Sequence, residues 1–269
     1  MSDALLDASG IGISFGGLKA VQDLTVRVPA GALHGLIGPN GAGKTTAFNL
    51  LTGVYRTQTG SVRLGGARID HLRPHQIAAA GMSRTFQNIR LFGELSVLDN
   101  VRLACHVRGR HSIWRTVLRT PRFVAQERAM RERALELLGV FGLEGLADEQ
   151  AKGLAYGDQR RLEICRALAT EPRVLLLDEP AAGMNPSEKK SLASTIREIR
   201  DRFGLAVLLI EHDMGLVMDI CEKITVLDHG CPIAVGEPAA IQCDPKVCAA
   251  YLGEPEGEAT AGAHGEEER

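Results

Sequence analysis

Gly38-Pro39-Asn40-Gly41-Ala42-Gly43-Lys44-Thr45-Thr46 is the stretch on which the reading of this 269-residue chain turns. From Gly38 to Thr45 it fits the pattern GxxxxGK[ST], and its flanks suit that pattern. Ahead of it, Leu33-His34-Gly35-Leu36-Ile37 is a short, mostly apolar run long enough for one strand. Behind it, Ala47-Phe48-Asn49-Leu50-Leu51 continues as a helix ending near Gly53. Gly38, Gly41 and Gly43 let backbone N–H groups turn toward phosphate oxygens with no Cβ in the way. The helix that follows points its positive end at the same oxygens. Lys44 supplies a point charge for the β- and γ-phosphates, and the Thr45 hydroxyl can ligate Mg²⁺.

A phosphate loop alone fits a kinase, a GTPase or an ATPase. The second half of the pattern is Val174-Leu175-Leu176-Leu177-Asp178-Glu179, a buried strand by composition that ends in two carboxylates. The carboxyl end of such a strand is where an open α/β sheet binds its ligand. Asp178 is placed to hold Mg²⁺ through water. Glu179 is placed to orient and deprotonate a water for attack on a γ-phosphate.

Working outward, the first thirty residues read as strands: Leu24, Val26 and Val28 alternate with polar neighbours and stop at the turn Pro29-Ala30-Gly31. Residues 61–86 read as short strands alternating with glycine-rich turns, and helical patterns dominate 97–138. A further helix is expected over 157–169, and another from Asn185-Pro186-Ser187-Glu188 to about Arg202. Ala206–Ile210 and Ile224–Leu227 are buried strands by composition. Apolar strands of four or five residues separated by helices indicate a mostly parallel sheet covered on both faces. The result is an α/β body made from both ends of the chain, with a helical insertion near 90–160.

Composition narrows the function classes. With 45% hydrophobic and 24% charged residues the chain is an ordinary globular one. Aromatics are scarce, which argues against a stacking platform for single-stranded nucleic acid, and no apolar run is long enough to span a membrane. Six cysteines show no CxxC pair, so a zinc site or disulfide frame is not expected. The net charge of −2 is uneven. Residues 253–269 hold six Glu against one Arg, and this acidic tail (254–269) reads as disordered. Residues 102–133 carry nine Arg against Glu127 and Glu132, with Trp114, Val117 and Leu118 at helical spacing. That segment reads as an amphipathic, solvated helical face, or a surface near anionic lipid headgroups, rather than a nucleic-acid patch.

These residues resemble an ABC-type ATPase from about residue 5 to 253. The resemblance rests on Leu154-Ala155-Tyr156-Gly157-Asp158-Gln159-Arg160-Arg161 as the signature, just upstream of Val174–Glu179. Gln87, within Arg84-Thr85-Phe86-Gln87-Asn88, stands where the family has its Q-loop glutamine. His212, within Glu211-His212-Asp213, matches the switch histidine, and Ala182-Gly183-Met184-Asn185 occupies the D-loop. Phe15 takes the place of the aromatic residue that stacks on adenine. The fold implied is a P-loop NTPase core with an N-terminal antiparallel β portion and a helical subdomain. The core is expected over about 5–90 and 165–253, the subdomain over about 91–164.

The resemblance also implies ATP and Mg²⁺ as ligands. The expected nucleotide contacts are Phe15, Gly38, Pro39, Asn40, Gly41, Ala42, Gly43, Lys44, Thr45 and Thr46. Thr45, Asp178 and Gln87 would serve the metal, with Glu179 as general base and His212 on the γ-phosphate. In the family two such domains face head to tail, so Leu154, Ala155, Tyr156, Gly157 and Asp158 would complete the site of a second ATPase subunit. Ala155 stands in place of the signature serine and Asp158 in place of a glutamine; like-charge repulsion from the nucleotide predicts that Asp158 points outward.

Within the family the nearest likeness is to the ATPases of branched-chain amino acid importers. It is carried by Phe15–Val21, Arg84–Asn88, Leu91-Phe92, the insertion at 102–138, Leu154–Gly157, Ala182–Pro186 and Ala250-Tyr251-Leu252-Gly253. The implied partners are two transmembrane permease subunits and, indirectly, a solute-binding protein, with the chain peripheral at the cytoplasmic face of the membrane and no nucleic acid bound. A permease helix would dock near Gln87 and the helical insertion. The alternatives are a lipopolysaccharide-export ATPase, which typically lacks so long an insertion, and a soluble ATPase acting on nucleic acid or ribosomes. Such soluble proteins usually carry two cassettes or a long coiled coil.

Overall fold

In a computed structural model, which describes residues 4–106 and 121–252, the chain forms two sheets and a set of helices around them. Ala4–Phe15 (β1) and Leu18–Pro29 (β2) form a long antiparallel hairpin. Together with Thr59–Leu64 (β4) and Ala67–Arg68 (β5) they make a sheet of order β2-β1-β4-β5. The second sheet has the order β10-β9-β3-β8-β7-β6. Its strands are Leu33–Ile37 (β3), Met82–Arg84 (β6), Val174–Asp178 (β7), Ala206–Ile210 (β8), Lys223–Asp228 (β9) and Cys231–Gly236 (β10). All neighbours in it are parallel except β9 and the edge strand β10.

The unbroken apolar runs of β3, β7 and β8 follow from burial on both faces. Successive side chains of a strand point to opposite sides. Leu175, Leu177, Val207 and Leu209 enter one apolar cluster, whereas Leu176, Leu208 and Ile210 enter another. The latter cluster fills the space toward the antiparallel sheet and Lys44–Leu51 (α1), which contributes Ala47, Phe48, Leu50 and Leu51. The former is closed by helices. Of these, Val97–Cys105 (α3), Pro121–Val140 (α4) and Tyr156–Leu168 (α5) come from the insertion. Pro186–Phe203 (α6) and Met214–Ile220 (α7) follow β7 and β8. The cluster runs without a break from the sheet into the insertion, and a boundary near residue 164 would fall inside the continuous helix α5.

The structure corrects the reading of 61–86 at one place. Pro74–Ala80 is a helix (α2), not a turn between strands. Pro74 occupies its first turn, the Gln76 side chain accepts the Arg73 N–H at 2.9 Å, and Gly81 ends it at φ +106°. Beyond β10 the short helices Pro238–Gln242 (α8) and Pro245–Leu252 (α9) complete the fold. All six cysteines are free. Trp114, Val117, Leu118 and the acidic tail lie outside the described residues. Among the arginines of 102–133 that are described, Arg102 pairs with Asp99 and Glu127, Arg128 with Glu132 and Arg133 with Glu136; the Arg128 pair is exposed, whereas the Arg102–Glu127 pair is half-buried.

Because β3, β6, β7 and β8 are parallel, their carboxyl ends emerge on one edge of the sheet. That edge receives the phosphate loop, Gln87, Asp178-Glu179 and Glu211-His212 from four separate parts of the chain.

Candidate functional site

The loop after β3 is made of backbone that only glycine can supply. At Gly38 a Cβ would lie 2.1 Å from the Leu227 carbonyl oxygen, and at Gly43, where φ is +99°, 2.5 Å from that of Ala20. Both positions are therefore closed to any other residue. The Lys44 ammonium donates to the carbonyls of Gly38 at 2.7 Å and Pro39 at 2.9 Å, spanning the loop it follows. Burial lowers its pKa, and the charges of Glu179 and Asp178 oppose that shift. Asn40, Gly41 and Thr45 are exposed, Pro39 and Thr46 half-buried, and Ala42 buried.

Asp178 ends β7 with its side chain 3% exposed, and its N–H donates to Thr85 Oγ1 at 3.1 Å. Its carboxylate accepts from Arg84 at 3.0 Å. Arg84 was quoted in the sequence only as part of a longer block, yet it joins three elements. It donates to Asn49 at 2.8 Å and Thr52 at 3.1 Å beside α1, and its guanidinium lies over the rings of Phe48 and Phe86. Burial pushes the Asp178 carboxyl up, and Arg84 opposes this.

Glu179 follows with φ +47°, an uncommon conformation for a residue with a long side chain. Backbone strain of this kind clusters where geometry serves function. Its N–H donates to the Ile210 carbonyl at 2.9 Å, and its carboxylate accepts the Gln87 amide at 3.0 Å. His212 Nδ1 lies 3.8 Å from the same carboxylate oxygen, with the imidazole 57% exposed. The structure thus brings Lys44, Gln87, Asp178, Glu179 and His212 to one place.

The signature residues face elsewhere. Ala155 caps α5, Leu154 accepts the Gln159 amide at 2.9 Å, and the Tyr156 ring lies against Gly183. Gly157 approaches Glu188 at the start of α6. Within the chain the contacts of Leu154–Asp158 run to α5, Gly183 and Glu188 rather than to the phosphate loop. Asp158 lies 3.4 Å from Arg161 Nη1, a neutralising neighbour on its own helix. Phe15, 45% exposed at the tip of β1, meets Tyr55 edge-on with ring centroids 5.3 Å apart.

Two further residues connect the signature helix to Gln87. Arg160 is buried and donates to the Phe86 carbonyl at 2.9 Å, to the Gln87 carbonyl and to the Tyr156 hydroxyl at 2.9 Å. Its partner Glu163, also buried, accepts from Arg160 and from the N–H groups of Phe86 and Arg90. Two opposite charges at i and i+3 on a helix otherwise rich in buried apolar residues were the available signal, and the sequence reading did not use it.

The oxygen donors near the loop are a threonine hydroxyl, an amide and Asp178, and among the described residues no cluster of three acidic, His or Cys side chains could cage an ion. Such a sparse set of hard donors fits Mg²⁺ that arrives on nucleotide phosphates and keeps several waters.

Residues 21–182 match the ABC transporter family model, and residues 231–257 match that of the branched-chain amino acid ATP-binding cassette transporter. The chain is 45% identical to the high-affinity branched-chain amino acid transport ATP-binding protein LivG of Escherichia coli K12, over 94% of this chain and 100% of that one. It is 46% identical to BraF of Pseudomonas aeruginosa, which bears the same description, over the same shares. Among solved structures it resembles the ADP conformation of MJ1267, an ATP-binding cassette of an ABC transporter. That match has a TM-score of 0.81 at 30% identity, over 93% of this chain and 99% of that one. With the phosphate loop, the paired carboxylates and these likenesses in agreement, the chain belongs to the ABC transporter family, as an ATP-binding cassette of the group that includes LivG and BraF.

Proposed function

We propose that this chain is the ATP-hydrolysing subunit of an importer for branched-chain or related amino acids. The observation that carries the reading is the convergence of Gln87 and His212 on Glu179 beside Lys44, on the edge where the phosphate loop opens. In this reading the loop N–H groups and Lys44 hold the phosphates, and Phe15 stacks on adenine with Tyr55 bracing its edge. Thr45, Asp178 and Gln87 would hold Mg²⁺, which when bound would neutralise phosphate charge. Glu179 orients a water and takes its proton, and His212 steadies the γ-phosphate.

The signature residues serve a second ATPase subunit in head-to-tail contact, since in one chain they do not reach the loop. Nucleotide then acts as an interfacial ligand, and loss of the γ-phosphate removes the contacts that favour closure. A groove of about 580 Å³ beside Arg84 and Phe86, rimmed by the exposed Val54, Phe92 and Leu103, suits a cytoplasmic helix of a permease subunit. No described helix is long and apolar enough to cross a membrane. Attachment through two permease subunits at the cytoplasmic face would place the chain at the membrane, and a solute-binding protein would deliver the amino acid.

Reconstitution tests this. The chain co-purified with two polytopic subunits is expected to drive leucine uptake into vesicles, and Phe92→Asp with Leu103→Asp to break the co-purification. A chain that purifies without membrane subunits and binds RNA in a salt-sensitive manner would contradict the reading.

A further inference from the structure

The turn that carries Glu179 and the turn that carries His212 share one buried carboxylate. Glu211 stands immediately after β8 with its side chain 1% exposed. Its Oε1 accepts the N–H of Ala181 at 2.8 Å, and its Oε2 accepts the N–H of His212 at 3.2 Å. The same Oε2 lies 3.9 Å from His212 Nδ1. Ala181 is two residues past Glu179, whose own N–H is held by the Ile210 carbonyl at 2.9 Å. The Glu179 turn, with its φ of +47°, is therefore pinned on both sides of the carboxylate, and both pins belong to the exit of β8.

An ionised carboxylate removed from water is costly to keep unless hydrogen bonds satisfy it. Glu211 is held between the two turns, its carboxylate reaching the N–H of Ala181 on one and those of His212 and Asp213 on the other. A two-oxygen acceptor can hold two donors in fixed relative position, which a hydroxyl or a single carbonyl cannot do at this span.

We propose that Glu211 is a positioning residue for hydrolysis, fixing Glu179 and His212 in a single frame so that a shift of the 181–185 turn moves both. It touches neither phosphate nor water itself. The inference rests on reading Glu179 as the base and His212 as the γ-phosphate contact. It adds that displacement of Ala181–Asn185, the segment next to the signature tyrosine through Gly183, is felt at His212 through this one side chain.

Three variants of the purified chain test it, each measured for kcat, KM, affinity for a fluorescent ATP analogue and melting temperature. Glu211→Ala removes both acceptors, and Glu211→Asp keeps the charge but shortens its reach by one methylene. Both are expected to lower kcat about 10- to 100-fold, the scale of an ångström-sized misplacement, with KM and nucleotide affinity within about twofold. Glu211→Gln keeps one acceptor oxygen but turns an NH2 toward the other turn's N–H, so its kcat is expected to fall between those of the parent and Glu211→Ala, by about 3- to 10-fold. A parental kcat in a folded Glu211→Asp or Glu211→Ala protein would overturn the proposal, as would a loss that appears in KM instead of kcat. So would a parental kcat in Glu211→Gln. Glu179→Gln run beside them separates the two levels. Normal turnover in Glu179→Gln refutes the base itself, whereas a dead Glu179→Gln beside a fully active Glu211→Asp leaves the base standing and removes Glu211.

Discussion

The phosphate loop and the strip behind it, from Arg84 through Gln87 to Arg160, sit side by side but are held by different means. The loop is contiguous and made of backbone: two glycines admit no Cβ, and Lys44 folds onto carbonyls five and six residues away. The strip is held by buried charged side chains whose partners are distant in sequence. Arg84 reaches Asp178 across 94 positions, and Arg160 reaches the Phe86 carbonyl across 74. A backbone cradle is rigid on its own and waits for an anion. The strip instead ties separate parts of the chain to one another, Arg84 within the paired strands β6 and β7 and Arg160 from α5 to the Gln87 segment. The first suits binding of phosphate, and the second fixes the geometry of the edge that Arg84 and Phe86 share with the groove.

The sharpest way to break this contrast is Arg84→Met. It leaves the Asp178 carboxylate buried without its cation, and urea unfolding should show a loss of about 3–5 kcal/mol, the usual cost of stranding one partner of a buried pair. A loss under about 1 kcal/mol would mean that the strip is not held by its ion pairs.

His34 probes the loop's own support. It lies in β3, buried, with Nε2 2.9 Å from Thr225 Oγ1 on β9. Burial, reinforced by Lys223, pushes its pKa down from 6.5 to about 4. The unfolded chain therefore binds a proton between those values that the folded one refuses. Stability is full above about pH 6.5 and falls as the pH drops through 4, by about 3 kcal/mol in all. Urea midpoints at pH 7 and pH 4.5 should show that slope in the parent and a flatter one in His34→Gln.

Lys44→Ala should act on binding and spare the fold. Removing a charged donor to phosphate is worth about 1.5–3 kcal/mol, so ATP affinity should weaken about 10- to 100-fold with little change in melting temperature. The smallest effect belongs to Asp158→Gln. Its partner Arg161 is half-exposed, and such pairs contribute under about 1 kcal/mol, so nucleotide affinity and turnover should both stay within about twofold.

The same division explains what could be read before any coordinates. The loop, β7 with its two carboxylates, and the strands β3 and β8 were legible because each is a contiguous run whose residue types state its environment. Helix α2 was not, because its only signals are Pro74, Gln76 and the closing Gly81 over a seven-residue span, and proline and glycine also suit turns. Met214–Ile220, β10 and the closing helices are short, and their boundaries come from packing on neighbours distant in the pattern, β10 on β9 and Met214–Ile220 on α6, rather than from periodicity. At the candidate site, Gln87 and His212 were named from their surroundings, whereas Arg84, Arg160 and Glu163 earn their importance only from what folding places opposite them. Glu211 was visible as a neighbour of His212, but not as the acceptor for Ala181, which lies 30 positions earlier.

The most direct test of the account is single-turnover phosphate release from Mg-ATP by the parent chain and by Glu179→Gln. The account predicts that Glu179→Gln binds ATP with parental affinity and releases phosphate at least about 100-fold more slowly, the loss expected when a general base is removed. Phosphate released by that variant at the parental rate would contradict it.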